Sequence, residues 1–184
     1  MNPDTKYLAD DVARNMVENF YKKYPFMQNI IDPYAGNGTF LHYLCRFKYD
    51  TSQYFRGFDT NPINVRKNFI IPIEKRDFLE YNYEDIELAP HTDKVAFIGM
   101  PPKDKISDTV KHIAEWEKSR VMAFVLPDKY RKFSEHHIFP NEWHTMEQYD
   151  IPKNSFILNG KRIDEPSIFQ IWENREFIRW HPYY

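Results

Sequence analysis

The sequence contains a single cysteine, Cys45, among 184 residues. That excludes an internal disulfide and any zinc site built on cysteine pairs, and Cys45 sits in an apolar helical pattern where it reads as packing. No run approaches the roughly 18 consecutive apolar residues of a membrane-crossing helix. The N-terminal stretch carries Asp4, Asp10 and Asp11 and has no hydrophobic secretory core. We therefore expect a soluble intracellular protein, cytoplasmic or nuclear, without membrane contact. Charge of one sign is also lacking: a net charge of −2 supplies no overall basic field for nonspecific nucleic-acid binding and leaves only local patches. His136, His137 and His144 match no helical or finger spacing, so no metal site is assigned. No repeat, low-complexity tract or linker divides the chain, and residues 1–184 read as one domain with a single layered core.

Aromatic residues, by contrast, are abundant. Thirteen Tyr and fifteen Phe exceed what a core of this size requires, which leaves some for stacking or partner contact. Apolar periodicity gives a helix over 5–24, with Leu8, Val12, Met16 and Phe20 on one stripe, and a second over 106–118, with Ser107 as its N-cap. Buried strands are expected at 29–32, 55–58, 70–74, 94–98 and 121–126. A charged helix starts near Pro127, a sixth strand runs over 143–151, and a terminal hairpin joins 155–158 to 167–172 through Asn159-Gly160. Strands alternating with helices define an α/β fold: a Rossmann-like, mostly parallel seven-stranded sheet, helices on both faces, and a C-terminal antiparallel hairpin.

The first strand carries the strongest functional signal. Ile30 and Ile31 run into Asp32-Pro33-Tyr34-Ala35-Gly36-Asn37-Gly38-Thr39-Phe40, where Gly36 and Gly38 permit backbone geometry closed to other residues and a helix follows at once. The turn lacks the third glycine of the dinucleotide fingerprint and places a carboxylate, Asp32, at the strand end. A negative charge there would attract an amine or a cation and repel a diphosphate.

This segment resembles motif I of the S-adenosylmethionine-dependent methyltransferases. Its Asp-Pro-x-Ala-Gly-x-Gly-x-Phe form is similar to the amino-methyltransferase branch, which includes enzymes acting on the exocyclic amine of adenine and relatives acting on protein glutamine. The resemblance implies S-adenosylmethionine as cofactor, with Asp32, Tyr34, Gly36, Gly38 and Phe40 in its site. It implies that Asp59 holds both ribose hydroxyls, that Asp77 accepts from the adenine amine, and that Phe78 packs on the ring. An acid before a helix is also an ordinary cap, so Asp77 keeps that second reading. Pro62 suits the first turn of a short helix after the second strand.

The fourth motif departs from the family's pattern. There the family carries Asn, Asp or Ser, then Pro-Pro, then an aromatic residue; the polar group and the first proline carbonyl accept from the target amine, and the aromatic stacks on the base. Here the catalytic positions are Met100, Pro101, Pro102 and Lys103. A thioether is a weak acceptor and a lysine has no π-face. Three readings follow: a methyltransferase acting on adenine amines in DNA or RNA, a pseudo-enzyme serving as cofactor-binding or partner subunit, and a protein or small-molecule methyltransferase. Lys129, Tyr130 and Arg131 are the candidate substrate-binding residues, with cations for phosphates and a ring for stacking. Lys103, Lys105, Lys161 and Arg162 would extend that patch.

Overall fold

A computed structural model of the chain describes residues 6–62, 71–175 and 177–179. Among these residues, strands β2 (Asn29–Asp32), β3 (Phe55–Asp59), β4 (Ile73–Lys75), β5 (Val95–Gly99), β6 (Ser119–Pro127), β7 (Trp143–Asp150) and β10 (Ser167–Asn174) form a seven-stranded sheet in the order β4-β3-β2-β5-β6-β10-β7. The pairs from β4 to β6 are parallel, whereas β10 runs antiparallel to both β6 and β7. A second, antiparallel sheet joins β1 (Tyr7–Leu8), β8 (Phe156–Leu158) and β9 (Lys161–Ile163) in the order β1-β8-β9. This is the α/β architecture that the alternating pattern predicts, a mostly parallel seven-stranded sheet.

Period-two alternation places helices on both faces. Ile30, Val121, Ala123 and Val125 pack with α1 (Asp10–Lys23) and α2 (Thr39–Phe47), through Val12, Met16, Phe20, Leu41 and Leu44. Their strand neighbours Ile31, Met122, Phe124 and Leu126 face the opposite layer, where α3 (Ile106–Ala114) contributes Ile106, Val110 and Ile113. The interior strands β2, β5 and β6 are thus apolar on both sides, as a covered parallel sheet requires. No described helix is long and apolar enough to cross a membrane.

Several local expectations are corrected. The first helix begins at Asp10, because Ala9 is extended (φ −65°, ψ 145°) and Tyr7–Leu8 pair instead with Ile157 and Phe156. Ala9 N–H also donates to the Ser155 carbonyl at 2.8 Å. Helix α3 stops at Ala114, four residues early, and Ser107 lies inside its first turn after Lys105 as cap. The segment after Pro127 is a pair of short 3-10 turns, Asp128–Arg131 and Phe133–Ile138. Asn159 and Gly160, both at positive φ, do make a hairpin turn, but it joins β8 to β9. Strand β10 pairs with β6 and β7 because its apolar run, buried over Ser167–Trp172, fits the interior of the large sheet. The helix expected after Pro62 and the start of the strand expected at Ile70 lie outside the described residues.

Candidate active site

Strand order reverses between β2 and β5, and open α/β sheets bind ligands outside the carboxyl ends of their strands at such a switch point. A pocket of about 490 Å³ opens there. Its wall takes Pro33, Tyr34 and Gly36 from the turn after β2, Asp59 and Thr60 after β3, Arg76 and Phe78 after β4, and Met100 to Lys103 after β5. The end of β6, the start of β10, and Lys6, Phe156 and Glu165 close the remaining side.

The glycine turn is built around Asp59. Gly36 is at φ +55° and Gly38, the N-cap of α2, at φ +78°, which L side chains adopt at a cost. A Cβ at Gly36 would meet nothing within 4 Å, so that turn faces open space. Asp59 Oδ2 accepts from Gly36 N–H at 2.9 Å, and Oδ1 accepts from Asn61 N–H at 2.8 Å. Each oxygen keeps a further lone pair for a ligand hydroxyl.

Asp32 lies beneath the turn and does not line the pocket. It is 1% exposed, its Oδ1 accepts from Tyr34 N–H at 3.1 Å, and a Cβ at Gly99 would stand 2.6 Å from that oxygen. Burial pushes its carboxyl up to about 8, against the lowering effect of the Tyr34 hydrogen bond and with a small contribution from Asp59. Buried beneath the turn and off the pocket wall, Asp32 presents no charge to a ligand, so the predicted attraction of cations and repulsion of diphosphate is not met at this position. Asp32 instead braces the strand ends.

Asp77 takes the capping role that was its second reading. Its Oδ1 caps the turn Phe78–Glu80 by accepting from Leu79 N–H at 3.0 Å, and its Oδ2 pairs with Lys105 Nζ at 2.8 Å. The lysine holds the carboxyl below its ordinary value, and Asp77 in turn raises Lys105. Phe78 is fully buried at the floor of the pocket, with Tyr34, Phe58, Tyr83, Phe97 and His112 around its ring. Tyr34 hydroxyl contacts Thr109 Oγ1 at 2.7 Å, and Thr109 itself donates to the Lys105 carbonyl, so Tyr34 is the donor of the first bond. Phe40 is buried in the core on the α1–α2 face, away from the pocket wall.

Met100, Pro101, Pro102 and Lys103 come together at the mouth. Lys103 is not free: it forms an ion pair with Glu165, which also pairs with Lys6. Lys129, Tyr130 and Arg131 stand apart from this pocket wall. Tyr130 is 4% exposed, which withdraws its ring from surface stacking. Lys129 pairs with Glu135 at 3.5 Å, and Arg131 with Asp128 and Asp150, both at 2.5 Å. Arg162 pairs with Asp11 at 2.8 Å. His136 and His144 contact backbone carbonyls of Tyr130 and Phe177, and no group of three candidate metal ligands occurs among the described residues.

Lys6 and Glu165 were not legible as site residues, because they lie 159 positions apart in sequence and no spacing rule connects them.

Neither a protein-family model nor a curated protein matches the sequence. Solved structures do match in fold. The 23S rRNA methyltransferase ErmE superposes with a TM-score of 0.60 at 15% identity, over 95% of this chain and 72% of its own. The methyltransferase subunit of a type I restriction-modification system from Streptococcus thermophilus gives 0.59 at 19%, over 92% of this chain and 45% of its own. The tRNA (uracil-54, C5)-methyltransferase from Pyrococcus abyssi, in complex with S-adenosyl-L-homocysteine, gives 0.57 at 16%, over 87% of this chain and 38% of its own. The chain therefore spans less than half the length of the latter two and shares with all three the methyltransferase fold.

Proposed function

We propose that the chain is an S-adenosylmethionine-dependent N-methyltransferase whose target is the exocyclic amine of adenine in DNA or RNA. The observation that carries this reading is the convergence, on one pocket at the switch point, of the glycine turn, the Asp59 carboxylate, the Phe78 floor and the Pro101-Pro102 segment. A volume of about 490 Å³ lies within the 300–1,000 Å³ typical of small-molecule sites. The residues present suit the cofactor: Asp59 on the pocket wall retains lone pairs for ribose hydroxyls, and the turn at Gly36 opens to unfilled space. When bound, S-adenosylmethionine supplies an electrophilic methyl group. The protein's task is to hold an amine with its lone pair aimed at that group and to exclude water, and the Pro101 carbonyl is one acceptor for the amine's hydrogens. Fold neighbours that act on rRNA and tRNA support a nucleic-acid target, and a restriction-modification subunit among them supports a partner subunit that recognises it.

A second reading has its own observation. Met100 offers a weak acceptor, and Lys103 is held by Glu165 where the family places an aromatic ring. Loss of one positioned acceptor costs roughly a hundred- to a thousand-fold in rate, so a pseudo-enzyme that binds cofactor and serves as a partner subunit is the alternative.

Calorimetric titration of S-adenosylmethionine and S-adenosylhomocysteine decides the first step. Micromolar binding is expected, weakened at least about tenfold by Asp59→Ala, which removes a charged acceptor. A labelled-methyl screen over single-stranded DNA and RNA then separates the enzyme from the pseudo-enzyme. Binding that survives Asp59→Ala unchanged would refute the assignment of the pocket.

A further inference from the structure

We propose that Glu165 is the group that receives the substrate amine, in the role that Met100 leaves without a polar side chain; the inference rests on the methyltransferase reading above. The pocket wall carries two carboxylates, Asp59 and Glu165. Asp59 is bound to the glycine turn, whereas Glu165 stands on the side of Met100, Pro101 and Lys103, where an amine would enter. Its side chain is 19% exposed, against 67% for Lys103, so the carboxylate lies inward of the rim lysine.

Glu165 is held in place from both directions. Ser167 Oγ donates to its carbonyl at 3.1 Å, Asp128 N–H donates to the next carbonyl, that of Pro166, at 3.2 Å, and Ser167 then enters β10 in register with Pro127. A proline after the glutamate limits its backbone to extended conformations. Lys6 occupies Oε2 and Lys103 occupies Oε1. An ionised carboxylate has about four lone-pair sites, so each oxygen can still accept one N–H. Burial pushes the Glu165 carboxyl up, but Lys103 and Lys6 outweigh it and keep the group ionised. Two ammoniums on one carboxylate leave a net positive charge, which suits an amine carried on an anionic polymer.

The chemistry balances without a further reactant. As the amine's lone pair forms the new N–C bond, the methyl C–S bond breaks and its electrons return to sulfur. Positive charge then resides on the nitrogen, and one N–H proton passes to Glu165 and on to water. The carboxylate thus gains strength as acceptor while that charge develops, which is the condition for stabilising a transition state.

Sinefungin tests this without turnover, because it carries a C–NH₃⁺ group where S-adenosylmethionine carries S⁺–CH₃. Its ammonium projects toward the amine acceptor. The wild-type protein is expected to prefer sinefungin over S-adenosylhomocysteine by about tenfold, the worth of a charge-assisted hydrogen bond. Glu165→Gln should keep its affinity for S-adenosylhomocysteine and lose that preference, and Lys103→Met, which frees Oε1 of a competing cation, should enlarge it. A preference unchanged in Glu165→Gln overturns the proposal. Loss of S-adenosylhomocysteine binding in the same variant also overturns it, by assigning Glu165 to the cofactor or to the fold. Failure of the wild-type protein to bind either ligand overturns the methyltransferase reading itself.

Discussion

Asp32 should contribute a fall in the stability of this protein as pH rises, and Asp32→Asn should abolish that contribution. The carboxyl is 1% exposed and burial raises it from 3.8 to about 8. Between these values the folded state binds a proton that the unfolded chain releases, so the unfolded state gains with every unit of pH. The contribution is intact below the unfolded value and is lost progressively as pH rises toward 8. At 1.36 kcal/mol per unit, the change from pH 5 to 7.5 amounts to about 3 kcal/mol. Asp77 and Glu165, both lowered, act in the opposite direction only below this window, whereas burial lowers His112 and His136 within it, so these two make stability rise with pH and offset part of the fall. Urea unfolding at pH 5.0, 6.0, 7.0 and 7.5 measures it: relative to Asp32→Asn, the wild-type midpoint should drop by about 1 M over the series. Asparagine keeps an acceptor for Tyr34 N–H and cannot ionise, so the variant should lose this fall and show only the rise with pH that His112 and His136 supply. A variant with the wild-type slope would refute the argument, since the proton would then belong to another group.

Two further substitutions separate scaffold from site. Gly99→Ala places a methyl 2.6 Å from Asp32 Oδ1 and 3.6 Å from Pro33 Cδ. It should destabilise by about 1–3 kcal/mol in urea unfolding, as overpacking does, and less in an Asp32→Ala background where that oxygen is gone. Asn29→Ala removes a buried side chain that accepts from Ala89 N–H at 2.8 Å and donates to the Thr92 and Lys94 carbonyls at 3.2 and 3.1 Å. Stability should fall by about 3 kcal/mol, while cofactor affinity should be unchanged at a temperature where the protein is folded, because Asn29 sits at the opposite end of β2 from the pocket. Altered affinity by calorimetry would contradict that placement.

Legibility follows the range of the interactions involved. Ile30-Ile31 and Val121–Leu126 could be read as buried strands because their apolar runs report a sheet covered on both faces, and the glycine turn could be read because Gly36 and Gly38 serve a local backbone requirement. Tyr7–Leu8 could not, since their apolar spacing continues the stripe of α1 and only pairing with Phe156 and Ile157 makes them extended. The hairpin error has the same origin: Asn159-Gly160 correctly marks a turn, but the turn alone does not say whether its strand joins the small sheet or the large one. Asp32 was visible as a carboxylate at a strand end, yet its charge state depends on burial under Gly99 and Pro33, which come from another strand and from the turn itself. The fourth motif is the sharpest instance. Read along the chain, Met100 and Lys103 are two losses at a catalytic position. Read in space, Lys103 is paired with Glu165, a carboxylate on the same pocket wall that Lys6 and the start of β10 hold independently. A pocket wall that lacks a polar group in the fourth motif can therefore still carry an acceptor from a distant segment, and whether the site lost its chemistry or exchanged one acceptor for another is tested at Glu165 and not at Met100.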